Sequence, residues 1–331
     1  MLFLAGLLGM MVLGSVAVIS TGDPEDDSAG DGSDGAGEGR VDGDLPPLSE
    51  DGATSLFAQM GILEAPGLID RGGDSDDLMR GSAGSDLLDG GAGADSVLGG
   101  AGDDQLSGGG GQDSLQGGEG ADTLHGEASG DRLEGGAGDD ILYGHDGADS
   151  LLGGAGDDEL QGGLGDDWLS GGAGADALHG REGADRLDGG AGPDTLFGGW
   201  DNDLLTGAED GEAWRDYLNG GAGDDTLRGG DGDVLTGGAG ADILVLDPSG
   251  EGAAIEIMDF DAAQDQIVIL YEETGGGAAP EIDMRPHPED PELAEILLDG
   301  RVVSTLPRDA LPGVEGILLV PESAAAQLGL A

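Results

Sequence analysis

The sequence predicts an all-β chain, most of it a solenoid of short stacked strands, and three observations predict this. A nine-residue phrase recurs from Gly72 to Val245 in nineteen blocks, the first fifteen of which, to Thr206, keep step without a slip. Every block carries Asp at its sixth place and, two residues on, an apolar eighth place that is Leu in all but two, where Met79 and Val97 stand. The third observation is composition: 73 glycines among 331 residues, with 3% aromatics, leave too few large side chains for an ordinary core. A disordered acidic linker would need no such timing, because solvent is indifferent to where along the chain a carboxylate falls.

Charge narrows the partners. The chain holds 70 Asp plus Glu against 11 cationic residues, all of them Arg, for a net charge of -59. Such a field excludes nucleic acid, whose binding begins with neutralising phosphates, and favours multivalent cations. Cysteine is absent, so neither disulfides nor thiolate metal sites can offset the self-repulsion and the glycine entropy.

Five segments follow one another. Residues 1–20 carry no charged side chain and are long enough to span a bilayer as a helix. They lack a cationic leading region, and Val18-Ile19-Ser20 is a mediocre cleavage site, so an uncleaved membrane anchor, a cleaved signal and a buried element all remain open. The acidic bulk that follows argues for export of the C-terminal side. Residues 21–54 are Gly, Asp and Pro with hardly any apolar residue, which reads as a disordered acidic spacer. Residues 55–71 regain Leu56, Phe57, Met60, Ile62, Leu63, Leu68 and Ile69, and are expected to cap the array that starts at residue 72.

Within that array, 72–245, the nonapeptide divides into two halves. In its G-G-x-G-x-D half the glycines permit left-handed backbone, suiting a tight loop that offers carbonyl oxygens and a carboxylate to a hard cation. In the D-x-L-x half, alternation sends Leu inward and its neighbours outward. One block cannot bury one leucine, but stacked blocks can, pairing strand with strand in parallel. Stacking also brings like-charged aspartates close together, which is repulsive unless a cation such as calcium lies between them. The candidate calcium ligands are Asp77, Asp86, Asp95, Asp104, Asp113, Asp122, Asp131, Asp140, Asp149, Asp158, Asp167, Asp176, Asp185, Asp194, Asp203, Asp225 and Asp242. Asp216 and Asp233 hold the sixth place in blocks whose length departs from nine.

Phrases such as GGAGDD, GGAGAD and GGLGDD resemble the RTX, or haemolysin-type, calcium-binding nonapeptide repeat, G-G-x-G-x-D-x-U-x, over more than half the chain. The resemblance implies a parallel β-roll with two nonapeptides per right-handed coil and calcium between loops two blocks apart. Asp140 would then share an ion with the loop of Asp158, and Asp131 with that of Asp149. It also implies type I secretion, unfolded where calcium is scarce and folded outside the cell. Ser75, Ser129 and Asp201 depart from the pattern at the fourth place, so weaker loops are expected there. Residues 207–219 carry four extra residues and 229–236 lack one, with altered coordination expected locally.

Other residues invite sharper readings that simpler ones outweigh. Trp214 is read as an aromatic covering the flank rather than a binding platform, and His125, His145 and His179 as surface histidines rather than transition-metal ligands. Residues 246–331 form an expected β-rich capping or secretion module. In it Asp259, Phe260, Asp265, Ile267 and Ile269 resemble the closing motif that follows such arrays. A hairpin is expected over 295–306 with its turn at Asp299-Gly300. The last twenty residues suit a C-terminal secretion signal or a β-extension equally. No H-E-x-x-H or G-x-S-x-G occurs, and no segment outside the array suits a catalytic domain, so no enzyme is expected. The leading function is an exported, extracellular calcium-binding protein with a structural or cell-surface role, tethered if residues 1–20 are retained. The alternative is a calcium-rigidified adhesin or matrix component that presents its C-terminal module to a partner.

Overall fold

The computed structural model describes residues 67–207, 214–248, 252–272, 279–313 and 316–328. The expected anchor, the spacer and most of the N-terminal cap fall outside the described residues.

Successive repeats alternate between two sheets, one of 14 strands and one of 12. Each strand pairs in parallel with the strand two blocks away, so one coil spends two nonapeptides. Ser150–Ala155, for example, lies between Arg132–Ala137 and Trp168–Ala173, with Leu151 opposite both Leu133 and Leu169. This is the β-roll that the resemblance implies, with leucine stacked on leucine as the timing predicts. Typical strands run six residues, from the seventh place of one block to the third of the next, and the eighth-place Leu and first-place Gly both face inward. Leu151, Leu160, Leu169 and Leu178 are fully buried and belong to one continuous core from Met79 onward. Each buried leucine contributes about 1.5–3 kcal/mol relative to an exposed one.

The roll runs past the ends of the nonapeptide array. Ile69–Arg71 pairs in parallel with the start of Leu87–Ala92, adding a rung ahead of Gly72. At the other end, Ile255–Ile257 continues the larger sheet and Gln266–Tyr271 the smaller, with Ile267 opposite Leu244. The segment read as a closing motif is therefore itself one more coil. Beyond it the pattern changes. Ile282–Pro286, Leu293–Leu298 and Arg301–Pro307 are joined antiparallel, and Ile317–Pro321 lies beside Gln266–Tyr271. The expected turn is present, Asp299 and Gly300 both having positive φ (51° and 81°) as a two-residue hairpin needs. Ile317–Pro321 is followed by the short helix Glu322–Ala325. No described helix is long and apolar enough to cross a membrane.

Candidate metal centre

Loops at the two edges of the roll stack directly on one another. In the block Gly153 to Gln161, Gly154 and Gly156 have φ of 123° and 133°. A Cβ on either would lie about 2 Å from the carbonyl oxygen of the glycine one coil below, 2.1 Å from Gly136 O and 2.2 Å from Gly138 O. Only glycine allows both the backbone conformation and that approach. Gly153 has ordinary φ, but a Cβ there would lie 2.4 Å from Asp158 Oδ2 and 2.7 Å from the Gly171 carbonyl oxygen. The first-place glycine is thus the floor of a cradle into which the sixth-place carboxylate points.

The sixth-place aspartates form two ladders. Along one, each backbone N–H donates to Oδ1 of the Asp two blocks on, from Asp77 through Asp95, Asp113, Asp131, Asp149, Asp167, Asp185, Asp203, Asp225 and Asp242 to Asp265, at 2.7–3.1 Å. The other runs from the Leu68 N–H through Asp86, Asp104, Asp122, Asp140, Asp158, Asp176, Asp194 and Asp216 to Asp233. From Asp86 to Asp242 these side chains are buried. Their second oxygens are different: Oδ2 of each repeat aspartate from Asp95 to Asp185, and of Asp203, Asp225 and Asp242, is buried with no hydrogen-bond partner. An orphaned carboxylate oxygen costs free energy unless a charge satisfies it.

Electrostatics point the same way. Burial raises the carboxyls of Asp104, Asp113, Asp122, Asp131, Asp140, Asp149, Asp158, Asp167, Asp176, Asp185, Asp203, Asp225 and Asp242 above their ordinary value, the backbone N–H bonds oppose the rise, and neighbouring carboxylates add to it. Asp131, Asp158 and Asp167 are pushed up to about 7 and Asp203 to about 8. Asp104, Asp122, Asp140, Asp185 and Asp225 rise to about 6. Such a row is comfortable only when neutralised, by a proton or by a cation. Carboxylate and carbonyl oxygens suit a hard cation, and the donor set therefore fits calcium.

Several positions depart from the expected pattern. Asp77 Oδ2 accepts the Gly73 N–H at 2.9 Å and Asp86 Oδ2 the Ser82 N–H at 2.5 Å, so the first two predicted ligands already spend the oxygen left over elsewhere. Asp233, after the shortened loop, likewise accepts the Gly230 N–H at 2.6 Å. Ser129 and Asp201 keep the loop shape by adopting positive φ (87° and 71°), so the missing glycine appears as backbone strain. Fifth-place aspartates also use their side chains: Asp157 Oδ1 accepts the Ala175 N–H at 2.9 Å and Asp139 Oδ1 the Asp157 N–H at 3.0 Å. Asn202 does the same for Asp224, so an amide suffices there. Trp214 is about half exposed, and beside it Arg215 pairs with Glu256 at 2.9 Å.

Of the three histidines read as surface residues, His125 and His145 lie side by side. His125 Nδ1 lies 3.0 Å from His145 Nε2, and the His125 ring stacks on Tyr143 with centroids 4.9 Å apart. Burial and the neighbouring His145 hold the His125 pKa below the usual imidazole value. His179 stacks on Phe197 at 4.9 Å.

A family model of the RTX calcium-binding nonapeptide repeat matches in eight stretches, seven that overlap from residue 71 to 211 and one from 215 to 244, together more than half of the chain. No curated protein matches the chain at a significant level. Among solved structures, a subunit of the mannuronan C5-epimerase of Azotobacter vinelandii, determined in solution, matches at 20% identity, covering 58% of this chain and 80% of that one with a TM-score of 0.16.

Proposed function

Because the chain belongs to the RTX calcium-binding nonapeptide repeat family, whose repeats bind calcium, we propose that it is an exported, non-enzymatic protein whose roll folds on calcium outside the cell and serves a structural or cell-surface role. The observation that carries this reading is the row of buried, unpartnered Oδ2 atoms aimed over first-place glycines. The ligands would be the sixth-place aspartates from Asp95 to Asp203, with Asp225 and Asp242, together with carbonyl oxygens of the glycine loops. Calcium, when bound, supplies the positive charge that these stacked carboxylates lack. The residues themselves do the positioning. Each Asp is pinned through Oδ1 to the N–H of the preceding coil, as Asp158 is to Asp140 at 2.8 Å, which fixes where Oδ2 points. Retained as an anchor, residues 1–20 would tether the exported roll to the membrane.

Such oxygen sites in extracellular modules bind with dissociation constants of roughly 0.1–1 mM. Calcium in the cytosol lies far below that range, so the sites would stay unfilled before export and fill after it. Far-UV circular dichroism and thermal melting of the full chain, with millimolar calcium and with chelator, test the reading. A cooperative β transition only with calcium is expected. An identical transition in chelator at neutral pH would overturn it.

A further inference from the structure

Among the described residues, one group brings three metal-binding donor atoms within 4.8 Å of one another, and it is not built from the aspartate ladder: His125, Glu127 and His145. His125 is at the ninth place of its block and Glu127 two residues on, so both project from the same side of Thr123–Ala128. The next strand of that sheet sets Tyr143 opposite His125 and His145 opposite Glu127. Coil stacking thus brings together residues 20 apart in sequence.

We propose that His125, Glu127 and His145 form a site for a borderline divalent transition-metal ion such as Zn2+. Two imidazoles and one carboxylate are a zinc-type donor set, whereas calcium takes oxygen ligands. The facing ring nitrogens, 3.0 Å apart, need little adjustment to share one ion. Tyr143 stacks on one ring and leans on the other at 5.9 Å, which limits how far either can turn away. Both second-place residues occupy backbone suited to glycine, Glu127 at φ 81° and His145 at φ 76°, where most blocks of the array have Gly. Side chains are therefore held on this rung at a conformational cost the array elsewhere avoids. His125 and Glu127 also border a groove of about 360 Å3 with Arg71, Asp89 and Ser107, which leaves a side from which water or an anion could complete the coordination.

The test uses the full chain saturated with calcium, so that the acidic loops are filled, and titrates Co2+ and Zn2+. Wild type should show a cobalt ligand-field band that saturates at one equivalent and that Zn2+ abolishes. His145→Gly restores the residue that the array prefers at that backbone and should fold with calcium as wild type does. It should also lose the band and bind Zn2+ at least about 100-fold more weakly, beyond the roughly 10- to 100-fold loss that removing an outer-shell partner causes. Glu127→Gln leaves the backbone untouched and should weaken binding about tenfold, with circular dichroism unchanged. Absence of a saturable band in wild type, or unchanged Zn2+ affinity in either variant, would overturn the site and place the ion on the general carboxylate surface.

Discussion

Residues 150–173 and the strands described between residues 266 and 321 stand in the same stack, yet they bury themselves by different means. In the first stretch each strand offers one leucine to the interior and a sixth-place carboxylate at the loop, and its outward residues, such as Trp168, stay partly exposed. In the second, Gln266–Tyr271 buries four consecutive residues and Leu293–Leu298 five. There Val268, Leu270 and Val320 join Val245 of the last repeat and Ala325 of the short helix Glu322–Ala325 in a second apolar cluster. The contrast teaches that register alone does not decide what holds a coil together. The repeats carry buried carboxylates that call for neutralisation, and the C-terminal end buries apolar area in their place.

The largest expected effect breaks the two regions apart. At calcium ten times the dissociation constant, each independent site adds about 1.4 kcal/mol, so ten sites would add roughly 14 kcal/mol. Hydrogen exchange in chelator at neutral pH should strip protection from strands such as Trp168–Ala173 while amides of Leu293–Pro307 keep more of theirs. Equal loss in both regions would mean that the C-terminal end depends on the ions as fully as the repeats do.

Acid should partly replace calcium, in the repeats only. A carboxyl whose pKa is raised on folding favours the folded state at low pH; its contribution is full below the unfolded value near 4 and is lost as pH rises through the folded value. For Asp158 and Asp203 those folded values are about 7 and about 8. Chelated protein should therefore gain β signal as pH falls from 8 toward 5. A chelated chain that stays equally unfolded across that range would show that the cradles are absent without the metal.

Core truncation comes next. Leu169 is fully buried, and Leu169→Ala should cost about 2–5 kcal/mol, raising the calcium midpoint and lowering the melting temperature. Its neighbour Trp168 is the larger side chain but 44% exposed, and Trp168→Ala should cost only about 0.5–1 kcal/mol. The reverse order in thermal melts would invert the inward and outward faces of the strand.

The finest comparison sets two adjacent aspartates against each other. Asp158→Asn weakens a buried cradle carboxylate and should raise the calcium midpoint clearly. Asp157→Asn keeps an amide oxygen for the Ala175 N–H, as Asn202 does for Asp224, and should hardly move it. Equal shifts in a calcium titration would make bulk charge, not cradle geometry, the governing term.

Much of this was legible in the sequence because a period is a distance. The nine-residue step from one strand to the next follows from the leucine spacing, whereas eighteen residues per coil, and with it the pairing of Leu151 with Leu169, was implied by the family resemblance. Less legible was anything that depends on two places of the phrase meeting across a coil. The ninth-place His125 and second-place His145 look unrelated until the eighteen-residue stacking is applied, when a separation of 20 becomes a near contact. The side-chain role of Asp157 was hidden by its neighbour, since two adjacent carboxylates read alike as charge. The extra coil at 255–271 did leave a signal: Asp265 precedes Ile267 as every repeat aspartate precedes its leucine, and its Oδ1 takes the Asp242 N–H at 3.1 Å.

The aspartate ladders also have a direction. Each carboxylate closes the amide of the coil before it, and both ladders stop when an amide turns back into its own loop: Asp265 N–H to the Asp261 carbonyl at 2.8 Å, Asp233 N–H to the Gly230 carbonyl at 3.3 Å. Start and stop are written locally, and nothing between them counts coils. The four extra residues before Asp216 and the one lost before Asp233 are absorbed without breaking either ladder. Length is therefore a free parameter of this architecture in steps of eighteen residues. Excising a whole coil leaves both terminators and both sheets as they are, whereas excising nine residues exchanges the two ladders and joins each beginning to the wrong end.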